Sequence, residues 1–81
     1  MKLFDINHLP RHGAFDMFAQ RNSTQEDNAT WAAHVRGTFV VKTCDGERFC
    51  QDAYVMVDSG GHPYPMERTV FDAAYKKIPI L

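Results

Sequence analysis

Four histidines and two cysteines are the residues of this chain best suited to chemistry. His8 and His12 stand four apart, a spacing that on a helix would turn both imidazoles toward one metal ion. Pro10 lies between them and argues against a helix there. Cys44 and Cys50 are separated by five residues, wider than the short gap of a zinc knuckle. A Cys–His nucleophilic pair requires Cys44 or Cys50 to meet His34 or His62 in a concave site. Neither cysteine is followed by a helix start that would lower its pKa, so ordinary strand cysteines are expected. The stretch SGGHP lacks the Lys-Ser or Lys-Thr of a phosphate loop and reads as a turn. Asp52 and Asp58 flank the run AYVMV and mark strand ends rather than an acid–base pair. No catalytic, cofactor or metal residue is assigned from the sequence.

The bulk numbers narrow the function classes. The chain has 81 residues, which sets the expectation of a single domain over 1–81. Nine basic residues against ten acidic give a net charge of −1, so no global positive field holds nucleic acid. Arg11, Arg21, Arg36 and Arg48 leave only a local patch, and nucleic-acid binding is the weaker alternative. No apolar run approaches the roughly 20 residues of a membrane helix, and the start MKLFDINHLPRHG lacks the apolar centre of a signal peptide. Two cysteines are too few for a disulfide framework. A cytoplasmic protein with reduced thiols and no membrane partner is expected.

The elements that must position these residues follow from patterning. MKLFDI reads as a short strand or extended arm. AFDMFAQR has apolar residues at i, i+3 and i+4 and predicts a short helix over 14–21. Residues 22–30 are polar and read as a loop. Asp45-Gly46 between two β-favouring runs predicts a type I′ hairpin, with Val41 opposite Cys50 and Lys42 opposite Phe49. Val41 and Cys50 then share one face, Val40 and Phe49 the other. Tyr54 to Val57 and Tyr64 to Met66 predict a second hairpin around DSGGHP, with Pro63 and Pro65 confining the return to an edge. A helix is expected over 68–77, capped by Thr69, with Val70, Phe71, Ala74 and Tyr75 inward, Lys76 and Lys77 at its end, and Pro79 as its stop. The fold class expected is α+β: a small curved antiparallel sheet over about 34–66, packed by a short N-terminal helix and a C-terminal helix.

Ten of the 81 residues are aromatic. Core packing accounts for many of them, but Trp31, Tyr54 and Tyr64 are the candidates for a protein-binding surface, where amphipathic rings are enriched. The run QDAYVMVDSGGHPYPMERTVFDAAY adds a further clue. It resembles the PGDYG family of small phage and bacterial proteins over roughly residues 51–76. Tyr54 falls on the motif tyrosine, Gly61 on the turn glycine, Tyr64-Pro65 on Tyr-Pro, and Phe71 and Tyr75 on the closing pair. Gln51, Asp52 and Ala53 stand where that motif has Pro, Gly and Asp. The resemblance implies a phage or mobile-element setting and no assigned activity. It also implies that Tyr64, Phe71 and Tyr75 lock a terminal helix over the sheet.

The expected function is a non-enzymatic protein-binding module that inhibits or modulates a host protein or complex in the bacterial cytoplasm, such as an anti-CRISPR-like inhibitor, acting as a monomer or homodimer. The alternative is a small ligand-binding or catalytic domain using His, Cys and Tyr side chains.

Overall fold

In a computed structural model the chain is described over residues 1–21 and 29–78. Its centre is β3 (Ala29–Thr43), a 15-residue strand rich in valine, threonine and aromatic residues. A tight turn leads into β4 (Gly46–Val57), which pairs antiparallel along one edge of β3. The other edge of β3 is shared. β2 (Phe15–Gln20) lies antiparallel on residues 29–33, and β1 (Lys2–Phe4) lies parallel on residues 39–41. Outside these sit β5 (Pro63–Met66) on β4 and β6 (Tyr75–Lys77) on β2. The six strands run β5-β4-β3-β2-β6, with β1 beside β3. Helix α1 (Arg68–Ala74) joins β5 to β6.

The β3–β4 hairpin forms where Asp-Gly predicts it, but in a different register. Thr43 stands opposite Gly46, so Cys44-Asp45 makes the turn. A type I′ turn needs positive φ at both central residues. Here Gly46 alone carries it, at φ 121, while the Thr43 hydroxyl donates to the Gly46 carbonyl at 2.8 Å and accepts from the Asp45 N–H. Val41 therefore faces Arg48, and Cys50 faces Phe39. The slip is two residues, and side chains alternate with a period of two, so the expected faces survive it. Val41 and Cys50 belong to one side; Val40 and Phe49, directly paired, belong to the other.

Midway along, the ladder breaks between Val35 and Thr38. Gly37 has φ 80 and Asp52, across from it, φ 50. The Gly37 N–H donates to Asp52 Oδ1 at 2.6 Å. The extra residue in β3 and the left-handed residue in β4 bend both strands at one point. A straight 12-residue strand would span roughly 40 Å. Yet Cys44, just before β4, and Asp58, just after it, have ligand-capable atoms within 4.8 Å of each other. The sheet is therefore folded back on itself, and its inner side holds Val35, Phe39, Val41, Ala53 and Val55, with Phe4 edge-on to Phe39 at 5.7 Å. Val55 and Met56 are neighbours and point to opposite sides. Met56 accordingly belongs to a second cluster with Phe18, Ala32 and Phe71, which α1 covers.

Three expectations are corrected. The α+β class gives way to a mostly β fold with one short α-helix among the described residues, and the sheet extends from residue 2 to residue 77 rather than from 34 to 66. The helix over 14–21 is instead a single 3-10 turn (His12–Ala14) followed by strand β2. Apolar residues fall on both sides of β2, Phe18 on one and Phe15, Met17 and Ala19 on the other, and that mimics a helical spacing. The terminal helix stops at Ala74, and Tyr75–Lys77 extends as a strand on β2. Glu67, not Thr69, is its N-cap, and it makes no side-chain cap bond. Val70 is exposed rather than inward, and Phe71 alone in the helix is buried. Of the expected polar loop, Ala29 and Thr30 already belong to β3; residues 22–28 and Pro79 lie outside the described residues.

The bend makes a specific demand on two residues. Asp52→Ala removes the acceptor for the Gly37 N–H and keeps a β-carbon at positive φ, and is expected to cost about 1–2 kcal/mol. Asp52→Gly loses the same bond without the steric cost and should be milder. Gly37→Ala should cost about 1 kcal/mol or more from backbone strain alone. Urea unfolding of the three variants measures all of this.

Candidate functional site

His34 on β3 and Tyr54 on β4 are directly opposed, which places their rings on the same side of the sheet. They stack at 5.0 Å, and the stack continues through Phe71 at 3.8 Å to Tyr75 at 4.8 Å. Phe18 of β2 closes the array edge-on, 5.8 Å from Tyr54 and 4.8 Å from Phe71. These rings form the wall of an open cavity of about 580 Å³ whose lining also includes Asp16, Arg21, Asp72 and Lys77. Arg21 is part of the frame. Its N–H donates to the Ala74 carbonyl and its Nε to the Asp72 carbonyl, satisfying the open end of α1. The Lys77–Asp16 pair at 3.4 Å is exposed and contributes little.

The ring contacts along this cavity are stacked and edge-on packing. Stacking presents ring faces to one another, so hydroxyls and ring nitrogens do not point at neighbouring rings. Burial, with Asp72 nearby, pushes the Tyr54 phenol above its ordinary value, and burial does the same for Tyr64. His34 Nε2 is buried, with no hydrogen-bond partner among the described residues. Two of the three rings expected on a binding surface, Tyr54 and Tyr64, are thus half-buried against the second cluster. Trp31 is 47% exposed on β3, opposite Met17.

A different surface, not singled out by the sequence, is apolar and open. Leu3, Val40 and Phe49 are successive cross-strand partners on β1, β3 and β4 and share one face. Leu3 is 50% and Phe49 69% exposed. Among the described residues, no strand pairs with the outer edge of β4 over residues 46–52. The far edge of the sheet is different. Ladder donors alternate along a strand, and Pro63 and Pro65 have no N–H, so the donors of β5 are Tyr64 and Met66, turned toward β4. The outer edge of β5 therefore has no N–H to offer at those positions, whereas that of β4 keeps its donors.

The histidines and cysteines sort differently from each other. His62 lines a cavity of about 330 Å³ with Cys44 and Asp5, and Cys44, Asp58 and His62 bring one ligand-capable atom each within 4.8 Å of one another. Two of the residues proposed for a Cys–His pair therefore do converge. Spacing could not reveal it, because the bend in β4 is what joins the two turns. Asp58 Oδ1 accepts the His62 and Gly60 N–H groups at 2.9 Å, and these bonds hold its carboxyl below the usual range. His34 lies with Tyr54 instead. Cys50 is half-buried, and desolvation raises its thiol pKa. His8 Nδ1 is 2.9 Å from Asp5 Oδ1, a bond that lowers the Asp5 pKa. The side chain of His12 lies outside the described part.

The four arginines considered for nucleic-acid binding do not form one stripe. Arg11 and Arg36 line a cavity with Lys2, Arg21 caps α1, and Arg48 faces Val41 on the hairpin.

The raised phenols set a pH dependence. A group whose pKa is higher folded than unfolded stabilises fully below its unfolded value, here 10.0, and the contribution is lost as pH rises through the folded value. Stability should fall above pH 10.0, and Tyr54→Phe with Tyr64→Phe should remove part of that fall. Chemical unfolding at several alkaline pH values, with phenolate absorbance followed in parallel, checks both.

No helix among the described residues is long and apolar enough to cross a membrane. No protein-family model, no curated protein and no solved structure matches this chain, so its function is read from its own geometry.

Proposed function

We propose that this chain is a small, non-enzymatic protein-binding module of phage or mobile-element origin. It docks on a host protein in the bacterial cytoplasm and inhibits or modulates it; a defence system is a concrete target. The observation that carries the reading is the solvent-facing row Leu3–Val40–Phe49 beside the open edge of β4. A partner strand added to that edge would use main-chain hydrogen bonds for affinity and the row for specificity. Full burial of Leu3 or Phe49 would contribute about 1.5–3 kcal/mol each. The phage setting rests on the PGDYG resemblance. Asp52 occupies the position of the motif glycine and holds φ 50, the conformation for which glycine is suited.

Phe49→Asp places a charge in the row without touching either core. Tagged wild-type and variant protein are incubated with bacterial lysate and the captured proteins compared. One host protein or complex enriched by the wild type should be lost with Phe49→Asp, with affinity falling at least about 30-fold for a hot-spot residue. The unfolding curve should be unchanged. Equal capture by both proteins, or no enriched partner for the folded wild type, would overturn the reading.

A further inference from the structure

We propose that Cys44, Asp58 and His62 form a binding site for a zinc-class divalent cation, which clasps the two ends of β4 together. Cys44 sits in the β3–β4 turn, and Asp58 and His62 in the β4–β5 turn. Their ligand-capable atoms lie within 4.8 Å of one another. A tetrahedral centre with bonds of about 2.0–2.3 Å needs ligand atoms roughly 3.3–3.8 Å apart. Cys44 and Asp58 are exposed and His62 half-buried, so side-chain rotation alone supplies the remaining approach of about 1 Å implied by those bond lengths.

The donor set selects the ion. One thiolate, one imidazole and one carboxylate suit zinc and its relatives rather than calcium or magnesium, which take oxygen ligands. A thiolate and a carboxylate together balance a double positive charge. Binding requires the thiol to lose its proton to solvent, so affinity rises with pH. The carboxylate is already oriented, because Asp58 Oδ1 holds the Gly60 and His62 N–H groups and stands 3.7 Å from His62 Nδ1. Three protein ligands leave a fourth position for water. Asp5 lines the same cavity.

Cobalt(II) reports such a site directly through thiolate-to-metal charge transfer. The full chain, reduced and metal-free, is titrated with Co²⁺, then with Zn²⁺, and thermal unfolding is followed with and without Zn²⁺. One Co²⁺ per chain should bind with a charge-transfer band, Zn²⁺ should displace it, and Zn²⁺ should raise the melting temperature. Cys44→Ser should abolish the band. Cys44→Ser and His62→Gln should each weaken zinc binding at least about tenfold, the scale set by loss of a mere supporting group. Cys50→Ser should change neither. Both turn variants should keep the wild-type circular dichroism without metal. Absence of the band, a band that survives Cys44→Ser, or one that disappears with Cys50→Ser instead, would overturn the site.

Discussion

The hydrogen bond from the Gly37 N–H to Asp52 Oδ1 holds the point on which the rest of the structure turns. β3 and β4 are long, and two long flat strands would leave one broad face without cover. By bending both at the same place, the chain folds the sheet onto itself and encloses Phe39, Val41 and Val55 completely. Glycine and aspartate are suited to this task. Glycine takes positive φ without steric cost, and aspartate tolerates it while its short side chain reaches the opposite backbone. Polar groups outside the apolar cores thus determine where those cores form.

The second core depends on a shorter device. A seven-residue helix is too short to be stable alone, and α1 has no side-chain cap at its start. It is held from three directions. Phe71 inserts among Phe18, Tyr54 and Tyr75; Arg21 ties down two carbonyls at its end; and the residues after it become β6 on the edge of β2. The stretch after Pro65 therefore serves as lid and last strand at once. Its aromatic residues at 71 and 75 face each other although only the first lies in the helix.

Much of the β part was legible in the sequence, because turn chemistry is local. Asp45-Gly46 and Ser59-Gly60-Gly61 mark both hairpins, and Pro63 and Pro65 place the edge strand. Register was less legible. Glycine suits either end of a tight turn, and the Thr43 hydroxyl settles the choice by bonding inside it. The N-terminal helix failed for a tertiary reason: β2 turns Phe18 into the second cluster and carries Phe15, Met17 and Ala19 on its other side, against β3. Tyr54 and Tyr64 are amphipathic, and sequence alone does not decide which end of such a ring meets water. The meeting of Cys44 with His62 was illegible for a physical reason, since it depends on a bend made jointly by Gly37 and Asp52, residues from two strands that the chain brings opposite each other.

The bend also decides what stays outside. Side chains alternate along β3 and β4, so the step that turns Phe39 and Val41 inward turns Val40 and its partner Phe49 outward. A curled hairpin must therefore present an apolar row on its convex side unless the sequence supplies polar residues there, and at 40 and 49 it does not. The turn holding Cys44 and Asp45 is the tip of the same hairpin. An ion joining Cys44 to Asp58 and His62 would restrict how far that tip opens, and would hold the Val40–Phe49 pair nearer one geometry before any partner arrives. A surface ordered in advance loses less conformational entropy on docking. The bend, the two turns it brings together and the exposed row are in this way one mechanical unit, with Asp52 at its hinge.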